Sequence, residues 1–240
     1  MRILAFDTAT PATAVALLDT ATEASWEGRD DPPPGARPRH TTTLLALVAA
    51  QLAAAGTGWD GIDRIAVGVG PGTFTGLRIG VATAQALARA RELPLVGVST
   101  LHALARGAAD EPGDHDAILA VIDARRGEVF AAGWALDAVT TAGAAPLLDP
   151  RALGPDALAT ELAGHGRSWL AVGDGAVEFG QALERSGARI LEGDSRRNRV
   201  SAVEHCRLAA ALEPEPPEGI RPEYLRLPDA EISLRAARQP

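Results

Sequence analysis

The stretch Ile65-Ala-Val-Gly-Val-Gly-Pro-Gly-Thr-Phe-Thr-Gly-Leu-Arg-Ile-Gly-Val81 decides the fold, because an apolar strand runs into a glycine-rich turn and then into a helix. Ile65, Val67 and Val69 place β-branched residues at a period of two. Gly70-Pro71-Gly72 stops the strand. Thr73 or Thr75 is placed to cap a helix running to about Arg91. A helix N-terminus reached this way often holds anions. The named phosphate loops nevertheless fail. A dinucleotide fingerprint counted from Gly68 and Gly70 needs glycine where Thr73 stands, and a P-loop needs a lysine, of which the chain has none. A nucleophile elbow fails as well, since Phe74 stands at the serine position of Gly72-Thr73-Phe74-Thr75-Gly76. The turn reads either as a tight strand-to-helix connection or as a phosphate cradle.

Inside the helix, Gly76, Gly80, Ala84 and Ala88 fall four apart and line one ridge nearly bare of side chain. A glycine in a helix interior costs about 1 kcal/mol relative to alanine, so this ridge asks for close contact with another backbone. A neighbouring helix of the same chain or a partner protein can supply it. The segment from Thr41 to Ala55 is helical by composition and has no charged residue. Its leucines and Val48 spread round more than one face, which predicts burial on all sides. Its own sheet covers one side, and the core or a second protein covers the other.

Outward from this centre, Arg2 to Asp7 reads as a strand, Thr8 to Pro11 as a turn and Ala12 to Leu18 as a returning strand, with a third strand over Glu23 to Gly28. Arg29 to Arg39 is a proline-rich loop, expected to be mobile and unable to form a ladder. Leu95 to Val98 is a parallel strand, capped by Ser99-Thr100 and followed by a short helix from Leu101 to Arg106. The alternation favours an α/β sheet. Ala117 to Asp123 repeats the apolar strand closed by aspartate seen at Ile3 to Asp7, and Gly127 to Trp134 returns as its partner, which suggests an internal duplication. Helices are expected over Ala152 to Leu162, Gly175 to Ser186 and Val200 to Leu212, with a strand at Trp169 to Val172. Residues from Pro228 onward read as a frayed tail.

A chain of 240 residues with 46% hydrophobic content supports one large domain or two lobes. One cysteine, Cys206, excludes an internal disulfide framework and fits a reducing compartment. Met1 to Thr8 turns polar too soon for a signal peptide, and no run reaches membrane-spanning length, so a cytoplasmic protein is expected. The net charge of −8, from 31 acids and 23 arginines, argues against a surface built throughout for nucleic acid. Without lysine, Schiff-base and lysine-base chemistry are excluded.

The five histidines, His40, His102, His115, His165 and His205, show neither an H-x-x-x-H nor an H-E-x-x-H spacing, so an imidazole-bound metal is not expected. His40 reads as a capping or loop residue and Cys206 as a small core residue. Asp7 and Asp123 end strands, where phosphotransfer acids sit, but turn chemistry explains them equally well. Arg196, Arg197 and Arg199 form a basic loop, either solvated or in contact with phosphates.

Taken together, Ile3 to Thr10, Gly70 to Gly80, Pro94 to Leu101, Ile122 to Phe130 and Arg221 to Arg226 closely resemble the bacterial TsaB (YeaZ) family, in order across nearly the whole chain. The resemblance implies an α/β, actin-like ASKHA fold, a duplicated ribonuclease H-like unit. An N-terminal lobe would span 1–108 and a reduced C-terminal lobe 109–227, with a disordered tail at 228–240. It also implies work on the threonylcarbamoyl modification of the adenosine beside the tRNA anticodon. The related catalytic subunit, TsaD, carries an H-x-x-x-H metal pair where this sequence has Thr100 and Leu104, and neither can serve as an imidazole ligand. The resemblance therefore points to a non-catalytic subunit with no cofactor of its own, ATP and metal being used by the partners. Asp7 and Thr8 are the weak candidates for any nucleotide. The expected partners are a TsaD-type subunit and a TsaE-type ATPase, with a homodimer when the chain is isolated, tRNA met only through the complex and no membrane. Thr41, Leu45, Val48, Thr73, Gly76, Gly80, Thr83, Ala84 and Leu87 are the expected docking residues. Two alternatives stand beside this reading: a free-standing phosphotransferase or metallopeptidase of the same fold, and a homodimeric scaffold with no tRNA role.

Overall fold

The structure, a computed structural model, describes residues 1–33 and 35–226, so the tail expected from Pro228 lies outside the described residues. The first half runs β1 (Arg2–Asp7), β2 (Thr13–Asp19), β3 (Ala24–Asp30), α1 (His40–Ala54), β4 (Arg64–Gly70), α2 (Phe74–Arg91), β5 (Leu95–Ser99) and α3 (Thr100–Arg106). The second half repeats the plan with β6 (Ala117–Arg125), β7 (Glu128–Ala135), β8 (Leu148–Leu153), α4 (Pro155–Gly164), β9 (Trp169–Val172), α5 (Asp174–Glu178), α6 (Gly180–Glu184), β10 (Arg189–Ile190) and α7 (Ala202–Ala209).

Strand order is β3-β2-β1-β4-β5 in one sheet and, in the same sense, β8-β7-β6-β9-β10 in the other. In each sheet the first strand pairs antiparallel with the second and parallel with the fourth. The duplication suggested by two short strands closed by aspartate thus extends through both halves.

Alternation along the strands builds the layers, since successive side chains point to opposite faces. Leu4, Phe6, Ile65 and Val67 face outward against α1 and α2, while Ile3, Ala5, Ala66 and Val98 face the middle of the molecule. In the second sheet, Leu119, Val121 and Ala131 meet α4, α5 and α6, and Ile118, Ala120 and Phe130 face α3. Helices α3 and α7 therefore form a central layer between the sheets. Ala14, Ala16 and Ala66 keep the first sheet's inner face shallow, so α7 lies close on it.

Several boundaries differ from the sequence expectation. Helix α4 starts at Pro155, because residues 148–153 pair with β7 as an edge strand. The helix expected over residues 175–186 breaks at Phe179 into α5 and α6. Arg29 and Asp30, placed in the proline-rich loop, pair with Ala14 and Thr13 as the end of β3. Helix α7, which follows residue 108 in the chain, packs on β1, β2 and α3 of the first half. Chain order does not set lobe membership there, because α7 is the duplicate of α3 and shares its layer.

Candidate docking surface and interlobe cleft

Helices α1 and α2 lie side by side on the outer face of the first sheet. His40, Leu44, Val48, Gln51 and Leu52 turn α1 toward the core. The opposite side carries Thr41, Leu45, Ala49 and Ala53, all exposed, with Leu45 at 56%. Of the covers expected for α1, the sheet supplies one; the core does not supply the other, and within this chain an uncharged face of leucine and small residues remains on the surface.

The glycine ridge of α2 lies on the other side. Gly76, Gly80, Ala84 and Ala88 are buried within the lobe. A Cβ at Gly76 would collide with the Thr8 carbonyl, and one at Gly80 with the Thr8 hydroxyl. The Thr8 hydroxyl in turn donates to the Gly76 carbonyl at 2.7 Å. The close backbone contact demanded by the ridge is therefore the β1–β2 turn of the same chain. Of the nine expected docking residues, Thr41 and Leu45 are exposed and Thr73, Thr83 and Leu87 half-buried, whereas Val48, Gly76, Gly80 and Ala84 belong to the lobe's interior.

The same turn explains the glycine-rich loop. Thr73 N–H donates to the Ala9 carbonyl at 2.8 Å, and a Cβ at Gly72 would overlap that carbonyl. The tight connection read from the sequence is present: the loop's glycines admit the β1–β2 turn.

Between the lobes, this turn, the start of α2 and the β6–β7 hairpin enclose a cleft of about 400 Å³, lined among others by Thr10, Phe74, Asp123, Arg125 and Tyr224. Asp7 and Thr8 do not line it; both are 1% exposed, and the Asp7 carboxylate is held by buried partners. They are therefore not placed to contact a nucleotide in the cleft. Asp123 is engaged in its own turn, accepting from Arg125 N–H at 2.7 Å and pairing with the Arg125 guanidinium at 3.1 Å. That turn carries Arg125 and Arg126 in the left-handed region, at φ 65° and 59°.

Thr100 opens α3 with its hydroxyl donating to Asp7, and Leu104 packs between α3 and the second sheet. His40 is bonded to the Thr13 hydroxyl at 2.8 Å, and His102 stacks on Trp134 with a ring nitrogen 2.9 Å from the Val139 carbonyl. Among the described residues, no three His, Cys, Asp or Glu side chains stand together to hold a metal. Cys206 is buried with its thiol 3.3 Å from the Ile3 carbonyl, and burial pushes the thiol's pKa upward, away from thiolate chemistry. Arg197 of the basic loop is spent on Asp110 and Glu111. Among the described residues, no helix is long and apolar enough to cross a membrane.

Sequence reasoning missed the return of the chain over α2. Glu223 N–H donates to the Val69 carbonyl at 2.7 Å, Gln85 donates to the Ile220 carbonyl at 2.9 Å, and Tyr224 lies 5.1 Å from the Phe74 ring. Polar and proline-rich residues 213–223 carry no periodic signal that would announce this packing.

Two five-stranded α/β units of identical topology, facing each other across a central helical layer and a cleft, define a protein of the actin-like ASKHA class. A ROK hexokinase from Thermus thermophilus shares this fold at a TM-score of 0.51 and 11% identity, over 85% of this chain and 98% of that one. A Pseudomonas aeruginosa protein described as similar to peptidase YeaZ is nearer, with a TM-score of 0.76 and 31% identity over 94% of this chain and 99% of that one. The chain belongs to the TsaB (YeaZ) family. The Escherichia coli tRNA threonylcarbamoyladenosine biosynthesis protein TsaB is 46% identical over 139 residues, 57% of this chain and 56% of that protein. The matches to the first curated relatives thus span just over half of their length. The family described as "TsaD: tRNA N6-adenosine threonylcarbamoyltransferase" matches residues 32–145.

Proposed function

We propose that this chain is a non-catalytic subunit in tRNA threonylcarbamoyladenosine biosynthesis, and that it docks a TsaD-type catalytic subunit through the outer face of α1 and the adjoining side of α2. The observation that carries the reading is the exposed, charge-free side of α1 around Leu45, a surface that can be desolvated without stripping water from an ion. A standard interface takes about 800 Å² from each partner, which two adjacent helices of 15 and 18 residues can supply. In the absence of TsaD the same face pairs two copies of this chain. ATP and metal are held by the partner subunits, a TsaE-type ATPase joins the assembly, and tRNA is met through the complex.

The test is reconstitution of tRNA threonylcarbamoylation from purified components, with and without this chain. Modification that depends on the chain, together with co-elution with TsaD, is the expected outcome. Modification of undiminished rate in its absence refutes the reading.

A further inference from the structure

Asp7 ends β1 with its side chain turned into the central layer, where elements far apart in sequence converge on it. Its Oδ1 accepts from Ala9 N–H at 2.7 Å, and its Oδ2 accepts from the Thr100 hydroxyl at 2.7 Å. From α7, His205 Nε2 stands 3.0 Å from the same Oδ2, at ion-pair distance though off the axis of a linear hydrogen bond. The other ring nitrogen, Nδ1, is 3.0 Å from the Ser201 carbonyl. The His205 side chain is 0% exposed. Gly68 on β4 leaves the space, since a Cβ there would overlap Asp7 Oδ2.

A carbonyl oxygen only accepts, so Nδ1 must carry a hydrogen. A bare lone pair on Nε2, 3.0 Å from the ionised Oδ2, would face another lone pair and be repelled, so the contact favours a second hydrogen on Nε2. The cluster therefore holds one proton more than a neutral imidazole beside a carboxylate. Loss of that proton leaves a buried anion with no cation beside it, an arrangement that interiors tolerate poorly.

We propose that Asp7, Thr100 and His205 form a proton-dependent latch that seats α7 on the first sheet, closed while the pair keeps its proton and weakened as pH rises. From the end of α7 the chain continues to Glu215, which bridges to Leu95, and on to the contacts with α2. Loosening α7 thus reaches the outer helices.

Other charged groups face the latch. Glu204 on α7 pairs with Arg106 of α3 and with Arg207. Glu27 of β3 accepts from the Ser201 hydroxyl and Ala202 N–H at the start of α7. Arg64 of β4 donates to the Leu212 carbonyl at 2.8 Å. On the far side of the sheet, His40 of α1 is held below the ordinary histidine range by burial. β2 and β5 meet α7 through the apolar Ala14, Ala16, Leu18, Val96 and Val98.

Burial pushes the His205 pKa down, but its pairing with Asp7 outweighs this and leaves it above 6.5. For Asp7 burial pushes upward, and His205, Thr100 and Ala9 together hold it below 3.8. The latch's contribution is then full between those two ordinary values. It is lost as pH rises through the folded His205 pKa, and at the acid end as pH falls through that of Asp7.

Nitrogen NMR of the histidine-labelled full chain reads the ring directly. Both His205 nitrogens are expected to be protonated at pH 7, and a neutral ring there overturns the proposal. In a parallel thermal series, His205→Gln keeps an N–H donor for Asp7 but cannot titrate. Its melting point is expected to lie below that of the wild type at pH 6, with the gap narrowing toward pH 9. His40 also feels the Asp7 charge, so its ring is followed in the same spectra of both proteins and its own titration is subtracted from the difference. A gap that does not change with pH refutes the latch, and if the variant does not fold, the wild-type ring titration alone decides.

Discussion

At the scale of single residues, glycine positions show how tightly the first lobe is closed around its own turn. Gly68 has no freedom to gain a methyl group, because the Asp7 carboxylate occupies the space. Gly68→Ala is expected to displace Asp7 from His205 and Thr100 and to leave a buried charge without its partners. Breaking such a pair costs roughly 3–5 kcal/mol, far above the 0.5 kcal/mol typical of surface changes. Gly58, beside which a Cβ would meet nothing within 4 Å, is the control, and Gly58→Ala should leave stability within about 0.5 kcal/mol. Urea denaturation of the two variants checks this: equal midpoints would mean that the Asp7 pocket yields easily.

At the scale of elements, α1 and α2 divide the burden of being both core and surface. Val48 is 2% exposed and Leu45 is 56% exposed, three residues away on the same helix. Leu45→Arg should therefore leave the melting transition of the isolated chain nearly unchanged while placing an unpaired charge in the proposed docking face. A loss of about 2 kcal/mol or more, roughly 30-fold in Kd for a TsaD-type partner, is expected. Titration calorimetry beside circular dichroism measures both quantities. A folded variant that binds with unchanged affinity moves the interface elsewhere. A substitution at Gly80 cannot separate docking from folding, because a Cβ there already overlaps the Thr8 hydroxyl within the lobe.

At the scale of the whole molecule, charge limits what the chain does alone. A net charge of −8, with most arginines among the described residues paired to carboxylates, opposes a polyanion, since association with nucleic acid is driven by cationic contacts and counterion release. The isolated chain is expected to bind tRNA no tighter than the micromolar range at near-physiological salt. Filter binding decides it, and submicromolar retention by this chain alone would contradict the assignment of tRNA contact to the complex.

The sequence by itself determined the strand, turn and helix of residues 65–91, the hairpins closed by Asp7 and Asp123 and the duplicated α/β plan. These rest on local periodicity and turn chemistry, which act over a few residues. It also marked the unusual features, the bare ridge of α2 and the charge-free α1. Only the tertiary structure decided which way those features face. Periodicity reveals that Gly76 and Gly80 share a side, but not that Thr8, more than 60 residues earlier, lies against it. The return of α7 to the first sheet and the pairing of His205 with Asp7 join residues 198 apart. Such contacts have no local signal, because they arise from packing two sheets around a shared helical layer.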